Sequence, residues 1–208
     1  MDHAVALVEA YLRVNGYFTV SEYPVVEARR YGGFRTATDL DILAFRFPGA
    51  GRLVPSNSDE VEHSYAPDPE LGCRPDCAEM LIGEVKEGKA ELNEAARDPA
   101  VLQAALTRFG CCSRCHVPEV VKQLLQKGHA MTNCGHRVRM VAFGALHGSP
   151  GSPNYDIISL GHIERFLHDY ICQHWEVLHQ AQFKDPVFGF LVMLEKGYRG
   201  QIPALQKI

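Results

Sequence analysis

The stretch Met80-Leu81-Ile82-Gly83-Glu84-Val85-Lys86 carries a carboxylate and an amine two positions apart in an otherwise apolar run. Side chains on a strand alternate between faces, so Glu84 and Lys86 share one face with Met80 and Ile82, while Leu81 and Val85 take the other. Taking both charges out of water is costly unless they pair, titrate or meet a metal. Upstream, in Thr38-Asp39-Leu40-Asp41-Ile42-Leu43-Ala44-Phe45, the same alternation puts Asp41 on one face with Asp39, Leu43 and Phe45, a carboxylate inside an apolar strand. Consecutive strands are usually neighbours, so Asp41 and Glu84 are expected to converge. Two carboxylates that close do not both stay ionised in a dry site without a cation between them. Mg²⁺ suits them: it accepts carboxylate oxygens, keeps several waters and favours phosphate ligands. Lys86 is then placed to orient or help deprotonate water and to stabilise charge developing on a phosphate.

The elements that must position these residues are legible from periodicity. Residues 2–14 read as a helix with Val5, Val8 and Leu12 on one face and Asp2, Glu9 and Arg13 on a polar stripe, closed by Asn15-Gly16. Tyr17 to Val20 and Tyr23 to Glu27 read as a strand, Arg29 to Arg35 as a basic turn, and Thr38 to Phe45 as the next strand. From about 48 to 78 the composition turns to Gly, Pro, Ser, Asn and acidic residues, an insertion too polar to fill a core. Asp98-Pro99 starts a helix that Gly110 closes, and Val117 to Leu125 repeats the helical spacing up to Gly128. Strands at Arg137–Leu146 and Tyr155–Leu160 follow, then the longest helix over 162–180 and a last one from Asp185-Pro186 to about Lys196. The expectation is a single domain over 1–208 with a helical C-terminal elaboration at about 161–208.

With 208 residues and a formal charge of −4, the chain has room for one core and is not coated in basic residues for indiscriminate nucleic-acid binding. Seven cysteines, an odd number, and an opening Met1-Asp2-His3 suggest neither a disulfide framework nor a secretory signal. No apolar run approaches the ~20 residues that span a bilayer. A reduced, cytoplasmic protein without membrane partners is expected.

Asp41, a long gap and then Glu84-Val85-Lys86, within a helix, three strands, helix, strand order, resemble the PD-(D/E)xK nuclease superfamily over roughly residues 2–146. The resemblance implies an α/β, restriction endonuclease-like core: a central mixed β-sheet flanked by helices in αβββαβ order, with C-terminal helices added. It also implies Mg²⁺- or Mn²⁺-dependent hydrolysis of phosphodiester bonds in nucleic acid, DNA rather than RNA, with Asp41 and Glu84 as ligands and Lys86 positioning the water. The motif's proline is replaced by Leu40; a literal Pro75-Asp76 lies in a loop too close to Glu84 for two paired strands of normal length. Asp39 is the second candidate on the Asp41 face. Some members add a glutamate from the first helix and a glutamine from the helix after the E-x-K strand. Glu9 and Gln103 are placed for these roles, although Glu9 also reads as an exposed pair with Arg13, and Gln103 as an ordinary surface residue. With no recognition domain visible, a second copy or a partner protein is expected to direct the activity.

Arg29, Arg30 and Arg35 beside the Asp41 strand are candidates for phosphate contacts. Cys112-x2-Cys115 with Cys134-x-His136 offers zinc-ligand types, but the second half is not finger spacing, and buried cysteines are often simply small apolar residues. No zinc ligand is assigned, and an inactive nuclease-fold or zinc-stabilised binding module is the competing expectation. His162, His168, His174 and His179 lack the i,i+4 pairing of a helical two-histidine site and are read as surface or rim residues. No Gly-rich phosphate loop of the NTPase kind is present.

Overall fold

A computed structural model of the chain describes residues 2–29, 31–51, 64–146 and 154–201. The elements are α1 (His3–Val14), β1 (Phe18–Ala28), β2 (Phe34–Arg46), β3 (Glu79–Lys89), α2 (Pro99–Phe109), α3 (Val117–Lys127), β4 (His129–Met131), β5 (Arg137–Leu146), β6 (Asp156–Ser159), α4 (Leu160–Gln173), α5 (Trp175–Leu178) and α6 (Pro186–Gln201). The described residues form an α/β fold on a six-stranded mixed sheet, ordered β1-β2-β3-β5-β4 with β6 also on β5. β1/β2, β2/β3 and β4/β5 are antiparallel; β3/β5 and β5/β6 are parallel. A parallel neighbour needs a long crossover, and α2 and α3 supply it between β3 and β5. Since β3 takes one edge of β5, β4 and β6 share the other, at residues 137–139 and 141–144.

Two cores follow from strand alternation. Ile42, Ala44, Leu81, Val85, Val141 and Phe143 pack against α1, α4 and α6. Leu43, Met80, Ile82, Val138 and Met140 pack against α2 and α3, joined by Leu40, which breaks the alternation of β2 at Asp41. The sheet is therefore covered on both faces, which is why β3 is buried from Glu79 through Val85 rather than alternating with solvent. The even positions of β3 lie on the α2/α3 side, and Glu84 and Lys86 inherit that side from Met80 and Ile82.

Helix ends follow their expected caps. The Asp98 carboxylate accepts the Ala100 amide at 2.7 Å, Asp185 accepts those of Val187 and Phe188 at 3.1 and 2.8 Å, and Gly110 and Gly128 close α2 and α3 in the left-handed region.

Several boundaries differ from the sequence reading. β2 begins at Phe34, inside the stretch read as a turn. The helix expected over 162–180 breaks at His174, so α6, with 16 residues, is the longest. The apolar spacing runs through the break and hides it; His174 itself is buried, not a rim residue. α4 places Ile163, Leu167, Tyr170 and Ile171 in the main core and is no appendage. Within the 48–78 stretch, whose residues 52–63 lie outside those described, Leu71 and Asp68 are buried. Asp68 is held there by Tyr11, Asn15 and His162, the hydroxyl of Tyr11 donating at 2.7 Å. A polar segment thus enters the core by saturating its carboxylate. Among the described residues no helix is long and apolar enough to cross a membrane.

Gly144 pairs in register with Lys86, and a Cβ there would lie 2.5 Å from the Ala90 nitrogen. This close approach lets the chain leaving β3 fold back along β5, where the Ala90 amide donates to the Leu146 carbonyl at 3.0 Å. Gly144→Ala is expected to destabilise the fold by about 1–3 kcal/mol, the usual cost of overpacking. Gly88→Ala, with nothing within 4 Å, should be near neutral. Paired thermal melts check the difference.

Candidate active site

The described β2/β3 register ends at Ile42/Gly83. Continued one step, that register sets Asp41 against Glu84, and the two are close enough for the Asp41 charge to act on the Glu84 carboxyl. There the side chain takes over from the ladder: the Val85 amide donates to Asp41 Oδ2 at 2.8 Å. Asp41 is thereby fixed with Oδ1 left for other work. Across β1, Glu22 falls between the pairs Ser21/Ile42 and Tyr23/Leu40 and takes a φ of +50°, a conformation uncommon for a side-chain-bearing residue. The sheet is irregular on both sides of Asp41.

Glu84 is 1 % exposed. Its Oε1 accepts from Lys86 Nζ and, at 2.7 Å, from Asn93 Nδ2. Its Oε2 is buried with no hydrogen-bond partner among the described residues. Burial pushes the Glu84 carboxyl above its ordinary range; the Lys86 and Asn93 hydrogen bonds pull it back, and the negative field of Asp41 pushes it up again. Lys86 is 42 % exposed at its side chain. Burial lowers its affinity for a proton, but the Glu84 hydrogen bond and the fields of Glu84, Asp41 and Asp2 together outweigh this and raise it. Lys86 is therefore a fixed cation at neutral pH, suited to donating hydrogen bonds and steadying negative charge rather than to accepting a proton.

Beside the pair lies a cleft of about 360 Å³ lined by Lys86 to Lys89 and Glu91 to Asn93. The larger 650 Å³ cleft, between Arg13, Tyr65, Tyr170 and Phe188, is remote from these carboxylates, and the Arg13 and Asp185 charges at its edge pair with each other at 2.6 Å.

The structure brings Asp41, Glu84 and Lys86 together and leaves other candidates elsewhere. Glu9 makes its pair with Arg13 at 3.0 Å, but it is buried, not exposed, and also accepts from Thr19 at 3.2 Å, so its charge is committed away from Glu84. Asp39 is exposed on β2, and Gln103 is exposed on α2 and makes none of the contacts that hold Glu84. Asp76 pairs with Arg74 in an exposed loop. Arg35 is paired with Glu27 at 2.5 Å in the β1/β2 register, Arg29 is exposed, and Arg30 lies outside the described residues. Asn93, which orients Glu84, and Asp2, whose field reaches Lys86, are additions: neither stands in a strand pattern, and Asn93 arrives only through the return loop seated on Gly144.

The cysteine loops meet, with Asn133 donating to Ser113 at 2.9 Å and His136 Nδ1 2.9 Å from the Cys111 carbonyl. They do not gather three ligand atoms within 4.8 Å. Burial pushes the Cys111 thiol up to about 12 and raises that of Cys112 as well, as fits small apolar side chains. All seven cysteines are free.

Comparison with protein-family models, curated proteins and solved structures gives no match to this chain.

Because folded Glu84 holds its proton more tightly than the unfolded chain does, the folded state carries the extra proton between the ordinary carboxylate range and the raised value, and stability falls as pH rises through that window. Glu84→Gln removes this penalty. In metal-free buffer at neutral pH it should raise stability by on the order of 1 kcal/mol, the gain vanishing at low pH where both states are protonated. Denaturant melts of both proteins across pH read the effect; a Glu84→Gln protein less stable at neutral pH contradicts it.

Proposed function

We propose that the protein is a divalent-metal-dependent nuclease with a restriction endonuclease-like core. The observation that carries this reading is the buried Glu84 Oε2 without a partner, opposite Asp41 and beside the cation Lys86. An orphaned buried carboxylate oxygen is expensive, and a hard cation shared with Asp41 offsets that cost. The donor set fits: Asp41 Oδ1 and Glu84 Oε2 would hold Mg²⁺ or Mn²⁺, with the cleft along Lys86–Asn93 open for the substrate. When bound, such an ion supplies Lewis-acid stabilisation of a phosphoryl oxygen and a lowered pKa for water.

The chain's own groups do the remainder. Lys86 donates to the attacking water, fixing its line of approach to phosphorus, and its charge offsets that developing on the non-bridging oxygens. Water adds to phosphorus as the phosphorus–oxygen ester bond breaks, giving a phosphomonoester and a free hydroxyl. Asn93 and Lys86 hold Glu84 Oε1, so its carboxylate cannot rotate away. Asp41 is held by the Val85 amide.

The β1–β2 hairpin supports a nucleic-acid substrate. β2 pairs with β3 only over 42–46 but with β1 from Phe34 to Phe45. Residues 34–41 therefore continue past the β3 ladder paired with β1 alone; Val25 and Leu40 are still buried against the α2 layer, and only the end of the hairpin, Phe34 to Thr36 with Val26 to Ala28 opposite, reaches beyond it. Arg29 lies near the hairpin tip, with Tyr31 94 % and Phe34 76 % exposed. A cation for phosphates and open ring faces for bases are what single-stranded or unpaired segments require. DNA is the preferred substrate, and a second copy or a partner protein directs the activity.

Cleavage of single- and double-stranded DNA and RNA with Mg²⁺ or Mn²⁺ tests the proposal. Wild type should cut at least one form, and Asp41→Ala, Glu84→Ala and Lys86→Ala should each lose about 10²-fold or more while keeping their circular dichroism spectra. Absence of metal-dependent cleavage of every form refutes it. Replacing Arg29 and Tyr31 by Ala should weaken nucleic-acid binding by about tenfold or more with little change in kcat, measured under single turnover at two salt concentrations.

A further inference from the structure

A second group of metal-ligating side chains lies between α4 and α6. His168 and Cys172 are one turn apart on α4, and Glu195 on α6 faces them. His168 Nε2 is 3.8 Å from Cys172 Sγ, Cys172 Sγ is 3.7 Å from Glu195 Oε1, and His168 Nε2 is 3.7 Å from Glu195 Oε2. The nitrogen–oxygen separation is too long for a hydrogen bond. The three separations are close to the edge of a tetrahedron, about 3.3–3.8 Å for bonds of about 2.0–2.3 Å to a central zinc ion. We propose that His168, Cys172 and Glu195 form a binding site for a borderline-soft divalent cation of the Zn²⁺ class, independent of the Asp41/Glu84 site.

The donor chemistry selects the ion. Thiolate and imidazole suit Zn²⁺ and its neighbours and not Mg²⁺ or Ca²⁺, so this site and the all-carboxylate site sort different metals. Arg199 Nε donates to Glu195 Oε1 at 2.6 Å, and the guanidinium carbon of Arg199 lies 4.5 Å from the centre of the Trp175 ring, which fixes the carboxylate and leaves Oε2 turned to His168. Glu195 is buried and His168 is 59 % exposed, so the fourth position opens to a cleft of about 410 Å³ that Glu164, one turn before His168, also lines. Binding forms bonds from the metal to sulfur, nitrogen and oxygen, and the Cys172 thiol proton passes to solvent. The result is a clasp between α4 and α6.

Titration of the full chain with Co²⁺, a tetrahedral spectroscopic stand-in, tests this. One equivalent should produce a thiolate-to-cobalt absorption band that Zn²⁺ bleaches, and Zn²⁺ should raise the melting temperature. Cys172→Ser should abolish the band, and His168→Ala, at an exposed position that tolerates change, should weaken Co²⁺ binding by more than about tenfold, the loss that even an outer-sphere change brings. Cys115→Ser and Asp41→Asn should leave the band intact, which separates this site from the cysteine loops and from the proposed nuclease centre. No thiolate band in the wild type, or a band that survives both Cys172→Ser and His168→Ala, overturns the proposal.

Discussion

A carboxylate held out of water with one oxygen uncompensated is the constraint on which the end of β3 depends. Glu84 is buried because β3 runs through the middle of a sheet covered on both faces, and its parity directs it toward the α2/α3 layer. Lys86 and Asn93 satisfy Oε1, and none of the described residues satisfies Oε2. Removing a carboxylate from water costs several kcal/mol, and a fold shaped only for stability would fill this position with a well-packed apolar side chain. The neighbouring irregularities point the same way. The β2/β3 ladder gives way to the Asp41 side chain at the Val85 amide, and Glu22 takes a left-handed backbone conformation across β2. Such departures cluster where a structure is arranged for something other than its own stability.

Ending the β2/β3 ladder at Gly83 has a second effect. It frees β2 to continue with β1 alone, so the interruption beside the buried Glu84 also leads into the hairpin whose end carries Arg29 and Tyr31. Chain continuity couples the two. The return loop after β3 is tied in as well, since Asn93 reaches Glu84 only because Gly144 lets Ala90 approach β5 closely.

Much of the site was legible because it rests on strand parity. Alternation alone put Glu84 and Lys86 with Met80 and Ile82, and Asp41 with Leu43, and the two cores divide by parity in β3 and β5 and over 42–44 of β2, while Leu40, before the interruption at Asp41, departs from it. The helix starts at Asp98 and Asp185 were legible because a cap is a local contact. What escaped depends on contacts distant in sequence. Glu9 reads as surface from its i,i+4 partner Arg13, and its burial comes from Thr19 on the next strand and Asp185 near the far end of the chain, which hold Arg13 over it. Arg35 reads as a free cation until the hairpin register sets it against Glu27. His168 reads as a solitary histidine when only a second histidine is sought at i+4; Cys172 stands there, and Glu195 joins through helix packing.

A manganese-soaked crystal with an anomalous difference map tests the central claim most directly. The account expects one peak within about 2.1–2.3 Å of both Glu84 Oε2 and an Asp41 oxygen, absent in Asp41→Asn crystals soaked alike. A wild-type map with no peak at that position, while Glu84 Oε2 is found bonded to a protein group, would contradict it.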